Sequence, residues 1–438
     1  MWVEVLKQLE RLPSRPRREW RELQNLVPTV GGGDRLEAQA HSQYLLFEEI
    51  AEYITMTAES APLVLVLDEM QWADITSWDV LERLVAHLDS DRLMVCMTMR
   101  PGTLPAAVAQ HREALSGYEL ARSVTLSGLT RAEVKQWLEG AFHRQQVGRE
   151  FLAFLYRHTE GNPLFINHVL RSLLEDGAIW HSGERWEWSP VSELRLPAGL
   201  SALLAHRLSR FSSSTQAVLW TAAIIGRTFD VSLVVAAGAG SEPAVQLALS
   251  EGLAAGLLRP SYERYGGGYA FTHEQVREAL VESIPRERLA PLHERVGQAL
   301  EKRPTRVARE IAFHFDRAHS MAAAFRYGQL AANDAERVYA NAAAVGYLEL
   351  AARNATTPGE LADVRVALAY LAEAGGRYDE VEELCDLAIE WFDTQGDRRR
   401  ALTLRRMRER ARMEQGQPAR ITLDSLKALD DEARTLGF

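Results

Sequence analysis

The sequence predicts a mostly α-helical protein with one partial α/β domain. Three observations carry that reading. Residues 61–101 run strand, amphipathic helix, strand; from about residue 286 onward one helical pattern follows another; and 438 residues, 47% apolar and 25% charged, suffice for two to four domains with sizeable cores.

Composition sets the outer limits. No stretch approaches the roughly 18 consecutive apolar residues of a membrane span, and the opening Met1-Trp2-Val3-Glu4 lacks the basic-then-apolar layout of a signal peptide. The expectation is a cytoplasmic protein with no membrane segment. Two cysteines, Cys96 and Cys385, make neither a disulfide framework nor a cysteine-based zinc site, and both sit in apolar patterns that predict buried free thiols. A net charge of −10 argues against a protein that coats nucleic acid. Lysine occurs at positions 7, 135, 302 and 427 only.

The first strand is Leu63-Val64-Leu65-Val66-Leu67, preceded by Pro62 and ending in Asp68-Glu69. Its wholly apolar run is of the kind buried on both faces of a parallel sheet. A helix follows Trp72-Ala73, with Asp74 as N-cap and Leu81, Leu84, Val85 and Leu88 on one face. The second strand, Leu93-Met94-Val95-Cys96-Met97, stops at Thr98-Met99-Arg100-Pro101 and completes a βαβ unit.

Thr130-Arg131-Ala132-Glu133 is a capping box that opens the next helix. A helix over about 149–158 leads to Glu160-Gly161-Asn162-Pro163-Leu164-Phe165, and another runs to about Glu175, closed by Gly177. Ile179-Trp180 and Arg185-Trp186-Glu187-Trp188 flank a glycine turn and read as a β-hairpin. Helices over about 200–223, 230–237 and 242–255 come next. A hairpin around Gly266-Gly267-Gly268 follows, and then a helix opened by a second capping box, Thr272-His273-Glu274-Gln275. That order is a winged helix. Past residue 286, small-residue and aromatic positions such as Ala323-Ala324-Phe325, Gly346-Tyr347 and Gly376-Arg377-Tyr378 recur near every 34–40 residues, as in degenerate tetratricopeptide-like repeats.

Four apolar strand residues followed by Asp68-Glu69 form a Walker B pattern, in which a strand delivers two carboxylates to the carboxyl edge of a sheet. Alone the pattern is weak, because any strand ending in Asp-Glu matches it. The run Leu67-Asp68-Glu69-Met70-Gln71-Trp72-Ala73-Asp74 does not stand alone. With Met97-Thr98-Met99-Arg100-Pro101, Glu160-Gly161-Asn162-Pro163-Leu164-Phe165 and Tyr269-Ala270-Phe271-Thr272-His273-Glu274-Gln275, it closely resembles the STAND class of signal-transduction ATPases. These are AAA+-like P-loop proteins, and the origin-recognition-like modules of transcriptional regulators and of proteins linked to cyclases or kinases are the nearest in pattern.

The resemblance spans the whole chain and implies an incomplete P-loop NTPase sheet over 1–128, a helical lid with its β-hairpin over 129–196, a winged-helix domain over 197–285 and α-helical repeats over 286–438. It also implies roles for single residues. Asp68 would hold Mg²⁺ through water, and Glu69 would orient or polarise the attacking water. Arg100 would read the γ-phosphate, with Thr98 beside it in the cofactor-binding set. Pro163 would pack on the adenine, and His273 would touch the ADP phosphates from a helix N-terminus. The family's exchange of ADP for ATP makes such a module a switch rather than a turnover machine.

The sequence departs from the family at one motif. No Gly-x-x-x-x-Gly-Lys-Ser/Thr cradle precedes Asp68: Lys7 has no glycine before it, and Gly31-Gly32-Gly33-Asp34, which reads as a loop, has no lysine after it. The expectation is a chain truncated before its P-loop, or one that has lost it, with Walker B carboxylates but no hydrolysis of its own. Two functions follow: the ATP/ADP switch module of a regulatory ATPase whose effector lies outside this chain, or a non-enzymatic helical-repeat scaffold that no longer binds nucleotide. Protein partners or a small inducer on the repeats fit both. DNA binding fits neither well, since Tyr262-Glu263-Arg264-Tyr265-Gly266 is not notably basic. His314 and His319 read as core or surface histidines. The arginine run from Arg398 to Arg412 reads as a neutraliser of the acidic helix carrying Glu380, Glu382, Glu383, Asp386 and Glu390.

Overall fold

The computed structural model describes residues 1–14, 16, 20, 23, 37–86, 92–100, 104–143, 145–183, 185–194, 199–261, 268–416 and 419–435. The chain is mostly helical with small sheets, and it divides into two compact units. Residues 1–123, 307–312 and 321–438 make the first, and residues 124–306 and 313–320 the second.

The first unit begins with α1 (Trp2–Leu9) and α2 (Glu37–Ser60), which precede β1 (Leu63–Leu67), α3 (Ile75–Ala86), β2 (Leu93–Met97) and α4 (Ala106–Ser116). The strands are parallel and in register from Leu63↔Leu93 to Leu67↔Met97. Asp74 caps α3 as the sequence predicts, its carboxylate accepting the Ser77 amide at 2.8 Å. Trp2 of α1 donates its indole N–H to the Ser77 carbonyl at 3.0 Å and joins a core with Ile54, Leu65, Leu67, Trp78 and Leu84.

Among the described residues the strands are not covered on both faces. Val64 and Val66 are 60% and 67% exposed and Met94 61%, while Leu65 and Leu67 are buried. Among the described residues the sheet has two strands and one helical layer, so the alternate residues of an all-apolar run have nothing to pack on. Cys96 shares that open face and is exposed, contrary to the sequence expectation. Cys385 is buried as expected, and burial pushes its thiol up to about 12.

The same unit holds six helices that form three hairpins: α15 (Met321–Arg337) with α16 (Asn341–Asn354), α17 (Pro358–Ala374) with α18 (Tyr378–Gln395), and α19 (Arg398–Glu414) with α20 (Ala419–Thr435). Small residues at the contacts, such as Ala332, Ala344, Ala351, Ala369 and Ala372, let these helices approach closely. The arginines of α19 pair across the turn with α18. Arg405 reaches Asp393 at 2.7 Å, Arg408 reaches Asp386 at 2.5 Å and Arg412 reaches Glu382 at 2.8 Å. Rising numbers on one helix meet falling numbers on the other, as an antiparallel pair requires. The run is a neutralising face.

In the second unit α5 (Arg131–Ala141), α6 (Arg149–Thr159), α7 (Pro163–Glu175) and the hairpin β3 (Ile179–His181)–β4 (Trp186–Trp188) share a core that includes Phe142, Phe151, Ile166, Trp186 and Trp188. Both bonds of the Thr130–Glu133 capping box are present. Next come α8 (Leu200–Leu208), α9 (Ser213–Ile225), β5 (Thr228–Phe229), α10 (Val231–Ala236), α11 (Glu242–Ala254), β6 (Leu258–Ser261), β7 (Gly268–Phe271) and α12 (Glu274–Glu282). The three strands are antiparallel in the order β5-β7-β6, and the sheet packs on these helices through Phe229, Leu258 and Phe271.

Two local expectations fail here. The helix expected over 200–223 is broken, because the Ser212 hydroxyl accepts the Thr215 amide and starts a new one. The Thr272 capping box does not form. Thr272 instead lies within reach of the Gly256 and Leu257 carbonyls at 3.2 Å, and the helix begins one residue later with His273 as N-cap. The unit also contains α13 (Arg286–Glu301), and α14 (Ala308–Arg317) brings His314 to it. The Gly31–Asp34 loop, Leu88, Pro101 and the hairpin tip over 262–267 lie outside the described residues.

Candidate functional site

The parallel ladder continues past the strand ends, Thr98 donating its amide to the Leu67 carbonyl at 3.0 Å and Met70 donating to the Thr98 carbonyl at 2.9 Å. Asp68 and Glu69 therefore leave β1 directly beside Thr98, Met99 and Arg100 leaving β2. The Thr98 hydroxyl bridges the pair, donating to Asp68 Oδ1 at 2.5 Å and accepting the Glu69 amide at 2.9 Å. Glu69 occupies the left-handed region with φ 57°, a conformation costing a residue with a Cβ roughly 1–2 kcal/mol. The turn tightens at once into a 3₁₀ segment, Met70–Trp72, pinned to the core by fully buried Met70. In this conformation the Glu69 carboxylate meets the Arg100 guanidinium at 3.3 Å, with the two side chains 24% and 37% exposed.

One residue of this cluster was not singled out by sequence reasoning. Gln71 Oε1 accepts the backbone N–H of Arg100 at 3.2 Å, while Gln71 Nε2 is buried without a partner. Its position two residues after Glu69 is the only sequence signal it carries.

The donor chemistry at this sheet edge is two carboxylates and a hydroxyl, with Asp68 exposed. That is the hard-oxygen set Mg²⁺ takes when it keeps several waters and completes its shell with substrate phosphate. Among the described residues no group of three or more acidic, histidine or cysteine side chains is placed to hold a metal ion. Asp68 beside the Thr98 hydroxyl is chemically compatible with an open, water-rich Mg²⁺ site, whereas Glu69 is engaged by Arg100.

Pro163 and His273 belong to the second unit. Pro163 is the first residue of α7, whose N-cap Asn162 accepts the amides of Leu164 and Phe165 at 3.0 and 3.2 Å. The preceding turn is held against an extended segment: Leu129 donates to the Gly161 carbonyl at 2.9 Å. Gly161 has φ 77°, and a Cβ there would lie 2.0 Å from the Leu129 oxygen, so only glycine fits. This close approach forms a cleft of about 700 Å³ whose lining includes Leu126, His158, Asn162, Pro163 and Phe165. That volume is within the range of small-molecule sites. His273 is exposed and makes no side-chain cap bond. Partial burial, then the Arg227 and Arg259 charges, hold its imidazole below the usual histidine range. His273 also lies near enough to His168 on α7 for their charges to interact.

The structure thus gathers Asp68, Glu69, Thr98 and Arg100 into one hydrogen-bonded network, sets Pro163 on a cleft wall and puts His273 at a helix start.

Comparison with known proteins gives two findings and one absence. Residues 1–96 match the family model described as the AAA ATPase domain. Among solved structures the chain is similar to a signal transduction ATPase with numerous domains, a STAND protein with a tetratricopeptide repeat sensor from Pyrococcus horikoshii. The identity is 14% and the TM-score 0.43. The match takes in 93% of this chain and 65% of that one, so this chain spans less than two thirds of that protein's length. No curated protein matches. Among the described residues no helix is long and apolar enough to cross a membrane.

Proposed function

We propose that this chain is the switch portion of a nucleotide-dependent signal-transduction ATPase. In this reading residues 1–128 carry the Walker B half of the nucleotide domain, 129–196 the lid, 197–285 a winged helix and 286–438 the sensing repeats. One observation carries the reading: Asp68, Glu69, Thr98 and Arg100, from two parallel strand ends, form one network within a segment that matches an AAA ATPase domain. Asp68 binds Mg²⁺ through water, and Glu69 polarises a water molecule. Arg100 offers a planar cationic fork to a terminal phosphate. Pro163 contributes an apolar wall for a base, and His273 a contact for phosphate. Bound Mg²⁺ supplies charge neutralisation of the phosphates; the residues orient, donate and accept around it. Inducers or protein partners meet the repeats, and the effector is a separate element.

The cradle glycines and lysine are not among the 438 residues. Backbone amides and that lysine supply most phosphate contacts in P-loop proteins, so this chain by itself holds Mg-ATP no more tightly than about 1 mM, roughly −4 kcal/mol. Calorimetry on the chain tests this: saturable micromolar binding of Mg-ATP refutes the estimate. Limited proteolysis with ATP against ADP, on a version preceded by a P-loop segment, tests the switch. Identical cleavage patterns count against it. The scaffold reading draws on the missing cradle and predicts no nucleotide effect in either experiment.

A further inference from the structure

The segment Val124-Thr125-Leu126-Ser127-Gly128 has the residue types and alternation of a β-strand but pairs with nothing. The chain makes no turn or bend from Arg122 to Leu129, and among the described residues no backbone N–H or C=O of Val124–Gly128 takes a hydrogen bond. Val124 is 80% exposed and Leu126 89%, the two highest values among the exposed large apolar side chains described. A free strand edge is ordinarily blunted by lysine, proline or an inward charge. Here the nearest charge in sequence, Arg122, turns back onto the Glu119 and Ala121 carbonyls at 2.8 Å.

The far end of the segment is fixed. Leu129 is bonded to Gly161, and a Cβ at Gly128 would lie 2.4 Å from the Glu160 carbonyl oxygen, so the chain is pressed against the α6–α7 turn. Leu126, Ser127 and Gly128 thereby line the cleft of about 700 Å³ together with His158, Glu160 and Phe165. The polar groups of that lining accept rather than donate. Glu160 is exposed, and its carboxylate makes no ion pair or hydrogen bond among the described residues. The His158 Nδ1 meets the Phe154 carbonyl at 2.8 Å, so Nδ1 carries the proton and Nε2 of the neutral ring is an acceptor.

We propose that this cleft is the docking site of an extended polypeptide strand from outside these 438 residues, which pairs with Val124–Gly128 and sets a cationic side chain beside Glu160. The proposal is independent of the nucleotide reading, since neither its observations nor its test involve Asp68, Glu69, Arg100 or Mg²⁺. Two physical demands choose the occupant. Unpaired N–H and C=O groups repeating along a strand edge are matched residue for residue by a second strand, which brings acceptors and donors at the same spacing. The acceptor lining adds a charge-assisted bond for lysine or arginine. In strand addition the main chain supplies the affinity and alternate side chains the selectivity. Val124 and Leu126 share one face, so the incoming strand is apolar at alternate positions as well.

The test uses the full chain and a fluorescent peptide that alternates valine with threonine and carries one lysine. Anisotropy should show saturable binding, and hydrogen exchange over 122–129 should slow when the peptide is added. Successive N–H groups of a strand point to opposite edges. Of Val124→Pro and Thr125→Pro, one therefore weakens binding about tenfold and the other far less. Glu160→Gln weakens it about threefold and leaves unchanged the binding of a peptide with glutamine in place of the lysine. All three positions are exposed, and circular dichroism confirms that each variant is folded. Binding that is absent, or that both proline variants weaken equally, overturns strand pairing. Glu160→Gln without effect overturns the cationic preference. Slow exchange over 122–129 in the chain alone, lost on dilution, gives the edge to a second copy and overturns an outside partner.

Discussion

Replacing Arg207 with methionine is a sharp test of how the second unit is held together. Arg207 on α8 is 2% exposed, and its guanidinium is used on every side. Nε and Nη2 donate to Glu175 at 3.0 and 2.5 Å, Nη1 meets His168 Nδ1 at 2.9 Å, and Nη2 donates to the Ala255 carbonyl at 2.8 Å. Methionine fills a similar volume but provides no donor, so His168 Nδ1 and the Ala255 carbonyl lose this partner and Glu175 keeps only Arg210 at 4.0 Å. Breaking a buried pair by removing one member costs roughly 3–5 kcal/mol. The Glu175 side chain is 34% exposed and can rehydrate, which puts the expected loss near the lower end, about 3 kcal/mol. Hydrogen exchange of peptides covering 163–175 and 200–208 at pH 7.5 should accelerate about a hundredfold. Burial, then the Arg207 charge, holds His168 down at about 4, so its imidazole should also titrate higher in the variant. A loss below about 1 kcal/mol, or a gain in stability, would refute the reasoning by showing that the pair repays no more than its desolvation.

Two further predictions concern the same unit. His168 and His293 are held at about 4 and His314 at about 3, chiefly by burial, and the last two share a 2.9 Å Nδ1–Nδ1 contact. Each is depressed below the unfolded value of about 6.5, so the stability it contributes is whole above that pH and is lost as pH falls toward 4. Melts from pH 7.5 to 5 should show a loss of about 2 kcal/mol per independent site, and a flat profile would contradict the neutral assignment. Gly161→Ala sets a Cβ against the Leu129 carbonyl at a φ that L residues avoid. It should cost about 2 kcal/mol or more and expose the Leu129 amide to exchange; a variant as stable as the parent would show that the turn tolerates a shift.

Much of this was legible because it is local. A run of five apolar residues ending in Asp-Glu, a second such run ending before Thr-Met-Arg, and helical spacing between them are enough to specify βαβ, and the strands pair in parallel as read. The Thr130 box, the Asn162-Pro163 helix start and the arginine face of α19 are contacts between residues close in sequence or on adjoining helices. Two of the failures are local motifs overruled by neighbours. Thr272 has the residues of a capping box, but two strand-end carbonyls from residues 256 and 257 engage its hydroxyl first. Ser212 breaks a helix whose apolar spacing continues straight through it.

The sequence by itself determined which residues stand at the two strand ends, because alternation and chain direction fix where a short parallel strand delivers its next side chains. It also determined the helical hairpins, since small residues and a recurring period need no distant partner to be read. Only the tertiary structure decided that Glu69 faces Arg100 and that Gln71 holds the arginine's backbone. It alone decided that Arg207 ties together residues 32, 39 and 48 positions away. Such pairings depend on which buried polar groups are left needing a partner once the helices have packed, and that demand is written in three dimensions rather than in any window of the chain.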